Sequence, residues 1–272
     1  MITYGQRTIT YAEMDERSSR VARALAAEGV AAQDRVAFLD KNGPEYFEVL
    51  FGGGKINAVN VAVNWRLAPA EMKYAIDDAE AKVLFVGPDF FPHLAELEGT
   101  LRTVKKIVAL GEHPRHEGYA GWVGRQLPED TGLTSAPDDV AMQLYTSGTT
   151  GLPKGAMLTN ANLGTILPHV AAPWSLDETS VNVVAMPLFH IGGSGWALCG
   201  MWHGCHSILF REFVPQEILA ALVRHRVTNA LFVPAMLQIL SALPGAAEGT
   251  TERCARSSTA RPRSRTRCSF AR

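Results

Sequence analysis

The sequence predicts an α/β fold of alternating strands and helices, with mostly parallel sheets and helices on both faces. Two observations carry that expectation. Short apolar runs alternate along the chain with longer segments whose apolar residues recur at helical spacing. The 272 residues, 47% apolar and 19% charged with a net charge of -1, can also bury a large core without disulfides or metal staples.

Thr10-Tyr11-Ala12-Glu13 is a capping box; Met14, Ser18, Val21, Ala22 and Leu25 then share one helical face, and Gly29 ends the helix. Strands are expected over 35–39, 58–63 and 82–86, separated by an apolar helix over 45–51 and a helix over 69–79 that opens with Pro69. The stretch 111–137, rich in Gly, Pro and charge, is expected to be a seam between two incomplete α/β subdomains, with one short helix at 119–125. Beyond it, strands are expected over 140–145, 181–185, 207–210 and 229–233. Helices are expected over 160–170, 194–202, 215–224 and 235–243.

No apolar run approaches the ~18 residues needed to span a bilayer, and no secretory leader is recognisable, so a cytoplasmic location is expected. Four cysteines (Cys199, Cys205, Cys254, Cys268) without C-x-x-C spacing fit a reducing compartment. The charge is uneven: residues 250–272 hold seven arginines against one acid, a charge of +6, which leaves -7 for 1–249. That segment has no Val, Ile, Leu or Met and is expected to be a disordered, non-native tail. It lacks the lysines and stacking aromatics of a nucleic-acid platform, so nucleic acid is not an expected partner, whereas peripheral contact with acidic lipid stays open.

The most informative segment is Tyr145-Thr146-Ser147-Gly148-Thr149-Thr150-Gly151-Leu152-Pro153-Lys154-Gly155, flanked by apolar, strand-like residues. Glycines let backbone N–H groups converge on phosphate oxygens, hydroxyls add donors or touch a metal ion, and lysine supplies a point charge. Pro153 and Gly155 exclude the Walker pattern. The alternative is a Ser/Thr/Gly-rich surface turn that binds nothing.

Thr146 to Lys154, followed by Gly155-Ala156-Met157-Leu158-Thr159-Asn160, resembles the signature of the adenylate-forming enzymes, the acyl-CoA synthetases, luciferases and peptide-synthetase adenylation domains. Met186-Pro187-Leu188-Phe189-His190-Ile191-Gly192-Gly193 and Thr10 to Asp15 are similar to two further motifs of that family, and 229–236 to its acyl-CoA ligases. The resemblance covers 1–249 and implies a partial N-terminal domain of such an enzyme. It also implies the reaction: ATP and a carboxylic acid, here a fatty acid, give acyl-AMP and pyrophosphate, and coenzyme A then takes the acyl group. By the same resemblance Ser147, Gly148, Thr149, Thr150, Gly151 and Lys154 wrap the β- and γ-phosphates, and Thr146 lies next to Mg2+. His190 is implied to lie beside the acyl carboxylate, and Gly192, Gly193, Phe232, Val233 and Pro234 to line the acyl pocket, with Met236 near them. Periodicity alone would place Phe232, Val233, Pro234 and Met236 in the core.

Two lookalikes are weighed against these. Cys199, His203, Cys205 and His206 do not match zinc spacings and read as a packed helix and the turn after it. Gly52-Gly53-Gly54-Lys55 follows a helix and lacks the hydroxyl of a phosphate loop, so it reads as a glycine-packed helix end.

The resemblance further implies an acidic segment closing on adenine and magnesium, an aspartate on the ribose, and a C-terminal domain carrying a lysine. None is found here, so the expectation is a truncated form whose incomplete core favours self-association. A nucleotide-binding module without turnover and an inert gene remnant are the other readings. The 272-residue chain should accordingly form little acyl-AMP; robust pyrophosphate release with ATP and a fatty acid would overturn that.

Overall fold

In the computed structural model, residues 1–146, 151–244 and 246 are described; Ser147 to Thr150 and the arginine-rich segment lie outside them. Contacts divide the chain into two units. The smaller holds Met1–Thr8, Leu167–Pro187 and Gly192–Arg272, and the larger holds Ile9–Ile166 and Leu188–Ile191. The chain opens with two short strands, β1 (Ile2–Tyr4) and β2 (Arg7–Ile9), side by side at one edge of a five-stranded sheet.

The larger unit begins with α1 (Tyr11–Ala27), whose capping box is formed: the Thr10 hydroxyl accepts the Glu13 N–H at 3.1 Å and the Glu13 carboxylate accepts the Thr10 N–H at 2.7 Å. There follow β3 (Arg35–Leu39), α2 (Pro44–Gly54), β4 (Val59–Ala62), α3 (Pro69–Asp78), β5 (Ala81–Val86), α4 (Phe91–Leu97), β6 (Lys106–Ala109), β7 (Glu117–Gly118) and α5 (Tyr119–Gly124). The unit closes with β8 (Val140–Thr146), β9 (Lys154–Thr159) and the start of α6 (Asn160–His169). The sheet order is β7-β6-β5-β3-β4-β8-β9, parallel throughout except for β8 with β9.

Alternation along β3 explains the two covered faces. Ala37 and Leu39 point into one cluster with Met72 and Ile76 of α3 and Leu94 of α4. Phe38 points the other way, onto Tyr46 of α2 at 5.4 Å between ring centres. Its neighbour Phe85 meets Trp122 of α5 edge-on at 5.3 Å. Each such buried ring contributes about 1.5–3 kcal/mol. Beside them Glu48, 1% exposed, accepts the Tyr119 hydroxyl at 2.8 Å and pairs with Arg17 at 3.3 Å, so the buried carboxylate is compensated.

In the smaller unit α7 (Ala171–Trp174), β10 (Val181–Val184), α8 (Ile191–Trp202), β11 (His206–Leu209), α9 (Pro215–Arg224), β12 (Asn229–Ala230) and α10 (Pro234–Ser241) follow. The order is β12-β10-β11-β1-β2, with β12, β10, β11 and β1 mutually parallel where they pair. Val183 and Ile208 pack with Ile218 of α9 and Leu240 of α10, while Asn182 faces Gly200 of α8 on the opposite side.

The alternating α/β architecture is as expected, and several boundaries are not. Residues 111–137 lie wholly inside the larger unit, where β7 and α5 come from them, and the division between units falls elsewhere. The strand expected over 229–233 pairs only at 229–230, because Phe232 turns into the core and Pro234, which has no N–H for a ladder, opens α10. The helix expected from 194 starts at Ile191, Gly192 and Gly193 forming its first turn. β1, β2, β6, β7 and α4 carry no clear period because they are two to seven residues long.

Gly52 shows why a glycine run ends α2. A Cβ there would lie 2.7 Å from the Val21 side chain and 2.8 Å from the Ser18 carbonyl oxygen of α1. Gly52→Ala should therefore destabilise the chain by about 1–3 kcal/mol in denaturant unfolding despite alanine's better helix propensity. A second expectation concerns His206, whose ring lies 2.8 Å from the Thr3 hydroxyl. Burial first, then the N-terminal ammonium and His225, lower its pKa below the usual 6.5. A base with a depressed folded pKa binds protons better when unfolded, so its stabilising effect is full above pH about 6.5 and is lost as pH falls. NMR titration of His206 should show a midpoint below 6.5, and His206→Gln should flatten the acid side of the stability profile.

Candidate nucleotide-phosphate site

The parallel order of the larger sheet sends the carboxyl ends of β3, β4, β5 and β8 to one edge, and ligands of open α/β sheets gather at such an edge. Thr146 ends β8 there. β9 then returns antiparallel, with Thr146 opposite Lys154, Tyr145 opposite Gly155 and Leu144 opposite Ala156. The predicted phosphate segment thus lies where β8 and β9 form a hairpin, and Thr146 and Lys154 face each other across its mouth. Both are exposed, and among the described residues Lys154 makes no ion pair. Gly151 has φ +125°, a conformation that L side chains rarely adopt. Ser147, Gly148, Thr149 and Thr150 lie outside the described residues.

Below the mouth the hairpin is held by polar contacts. The Tyr145 hydroxyl donates to Asp78 at the end of α3 at 2.6 Å and accepts from the Gln143 amide at 3.2 Å. Burial, then the Asp78 carboxylate, push the Tyr145 pKa upward, so the phenol stays a donor. Gly155 lies against Gln143: a Cβ at 155 would come within 2.3 Å of its amide nitrogen.

His190 is exposed and belongs to the same unit as the hairpin. Two residues earlier the Leu188 N–H donates to the Asn42 side chain at 2.9 Å, and Asn42, 1% exposed, follows β3. Phe189 meets Trp65 edge-on at 5.8 Å, with Arg66 stacked 4.7 Å over the Trp65 ring. Asn42, Trp65 and Arg66 were not singled out from sequence; they stand just after β3 and β4, which is the one signal that could have marked them.

In the smaller unit, Gly193 is required by packing, since a Cβ would lie 2.1 Å from the Pro187 carbonyl oxygen. Phe232 is a core residue 5% exposed, its ring 6.4 Å from Phe213, whereas Val233 and Pro234 are exposed at the start of α10. Of the pocket candidates, Phe232 therefore reaches the hydrophobic core; Met236 packs against the same cluster.

The lookalikes resolve by their partners. Lys55 pairs with Asp15 at 2.6 Å and Asp130 at 2.9 Å. Burial opposes its charge, but those bonds outweigh it and raise its pKa. Cys205 donates to the Asp177 carbonyl at 3.2 Å, His203 to the Leu167 carbonyl at 2.9 Å, and burial pushes the Cys199 thiol up to about 11. Among the described residues no group of three or more His, Cys, Asp or Glu could hold a metal ion, and no helix is long and apolar enough to cross a membrane.

The AMP-binding enzyme family model matches residues 1–268. A fatty acid–[acyl-carrier-protein] ligase, ScoC of Streptomyces coeruleorubidus, is 35% identical over 88% of this chain and 46% of its own length. The anthranilate CoA ligase AuaEII, solved with anthranoyl-AMP, is 25% identical with a TM-score of 0.85, covering 91% of this chain and 49% of that one. ATP-bound MatB of Rhodopseudomonas palustris is 27% identical with a TM-score of 0.79, over 89% and 48%. The chain spans about half the length of the relatives it matches. By this match the chain belongs to the AMP-binding enzyme family.

Proposed function

We propose that the β8–β9 hairpin grips the β- and γ-phosphates of ATP in an enzyme that activates a carboxylic acid as acyl-AMP and passes the acyl group to coenzyme A. The observation that carries this reading is the hairpin itself, with Thr146 and Lys154 opposed across a glycine-bearing turn at the carboxyl edge of a parallel sheet. Lys154 supplies the compact charge, and the residues from Ser147 to Gly151 supply hydroxyls and close backbone approach.

Magnesium fits this donor set as an ion carried by the nucleotide. One exposed hydroxyl, Thr146, with no acidic cluster described beside it, matches an ion held mainly by phosphate oxygens and water. Bound there, it would neutralise phosphate charge as pyrophosphate leaves. Thr146 orients it, and Lys154 takes the charge that develops on the leaving phosphates.

A carboxylate is a poor acyl donor, and joining it to AMP creates a leaving group that a thiol can displace. His190, on a segment fixed by Asn42 and the Trp65 ring, offers an imidazole donor to the acid's carboxylate. Gly192, Gly193, Phe232, Val233 and Pro234 belong to the acyl side of this reading, Phe232 from within the core cluster of the smaller unit. A fatty acid is the substrate class, in keeping with the name of the ScoC relative, and coenzyme A the acceptor, in keeping with that of AuaEII. In calorimetric titration with ATP and magnesium at low salt, Lys154→Ala should weaken binding by about 10-fold or more while leaving the melting temperature unchanged. Equal affinity in the two proteins would refute the assignment.

A further inference from the structure

β9 is an edge strand of its sheet and none of its residues is buried, so packing alone leaves the hairpin mouth poorly located. Three side chains locate it. Tyr145, directly before Thr146 and opposite Gly155, packs its ring against the α3 cluster and donates its hydroxyl to Asp78 at 2.6 Å. Gln143, 6% exposed, donates to the same hydroxyl at 3.2 Å and occupies the space that a side chain at 155 would need. One hydroxyl thereby ties the end of α3 to strand β8, and the Gln143 amide that donates to it fills the space beside Gly155 of strand β9.

Asp78 is misplaced for the helix it ends. With Asp77 it puts two carboxylates in the last turn of α3, where the helix dipole disfavours negative charge. Asp77 is engaged by Lys73 and by Arg102, whose backbone N–H it accepts at 2.8 Å. Asp78 is engaged by Tyr145, a residue away from the site.

We infer that Asp78 and Tyr145 are positioning residues for nucleotide binding: their hydrogen bond sets the spacing of Thr146 and Lys154 and so the grip on the β- and γ-phosphates. This rests on the phosphate reading of the hairpin given above. The mechanism is distinct from electrostatics at a distance. Removing the Asp78 charge should tighten a polyanion if charge alone mattered, whereas loss of the hydrogen bond should loosen it.

The test is ATP titration of the parent chain, Tyr145→Phe, Asp78→Asn, the double variant and Lys154→Ala, with melting temperature and 31P NMR of bound ATP. Each single variant should bind ATP about 5-fold or more weakly, and the double variant no worse than either, because both remove one bond. The β- and γ-phosphorus resonances should shift from the parent's while the α resonance does not, a signature that general loosening of the fold would not produce. Tyr145→Phe, which keeps ring and charge, decides the matter if Asp78→Asn fails to fold. A folded Tyr145→Phe with parental affinity and parental β and γ resonances overturns the inference while Lys154→Ala still loses ATP. If Lys154→Ala also binds like the parent, the phosphate reading falls first and the inference with it.

Discussion

A loop that binds phosphate through its backbone must be short of side chains and yet held still, and these demands oppose each other. Glycine permits the close approach and the positive φ seen at Gly151, but each glycine adds conformational freedom that ordering must overcome. On the proposed phosphate reading, the larger unit meets the conflict by joining the segment to a β-hairpin rather than to a strand-to-helix turn. β8 is buried in mid-strand between β4 and β9, so the hairpin is anchored in the sheet. The polar contacts of Tyr145, Gln143 and Asp78 stiffen the base where the apolar core thins out.

The same edge of the sheet organises the rest of the unit. The carboxyl end of β3 leads to Asp40, Lys41 and Asn42, and that of β4 to Asn64, Trp65 and Arg66. Gly87, after β5, makes room for Asp40, since a Cβ there would lie 2.0 Å from that carboxyl group. Polar residues at this edge need partners, and they find them: Lys41 pairs with Asp89 at 3.4 Å and Asn42 accepts the Leu188 N–H at 2.9 Å. His190 is thus presented by a segment that is itself hydrogen-bonded and ring-packed, as its proposed contact with a carboxylate requires.

How much of this was legible in the sequence depends on the length of the signal. α1, with its capping box and five same-face residues, was readable almost to its ends because seventeen residues of period outweigh local noise. α3 was readable because Pro69 marks its start. β6 and β7 were not, being four and two residues long, and their identity as strands comes from pairing beyond β5, a long-range fact. The segment from Thr146 to Lys154 suggests a chemistry in the sequence but not a geometry: only the β8–β9 register puts Thr146 opposite Lys154. Phe232 shows the converse, since a pocket and a core ask for the same apolar residue and only packing tells them apart.

The two glycine-and-lysine segments make the point about partners sharper. Gly52-Gly53-Gly54-Lys55 and the run from Gly148 to Lys154 have similar composition, and a reading by residue type alone would treat them alike. Lys55 sits between two carboxylates and a serine hydroxyl, so a phosphate arriving there would have to displace three partners and would meet two negative charges. Lys154 opens an edge strand with no described counter-charge. Its side chain is exposed, so an anion would meet the charge without breaking a described ion pair. Function at such a segment follows less from the glycines, which both have, than from whether the lysine's charge has already been satisfied by the fold.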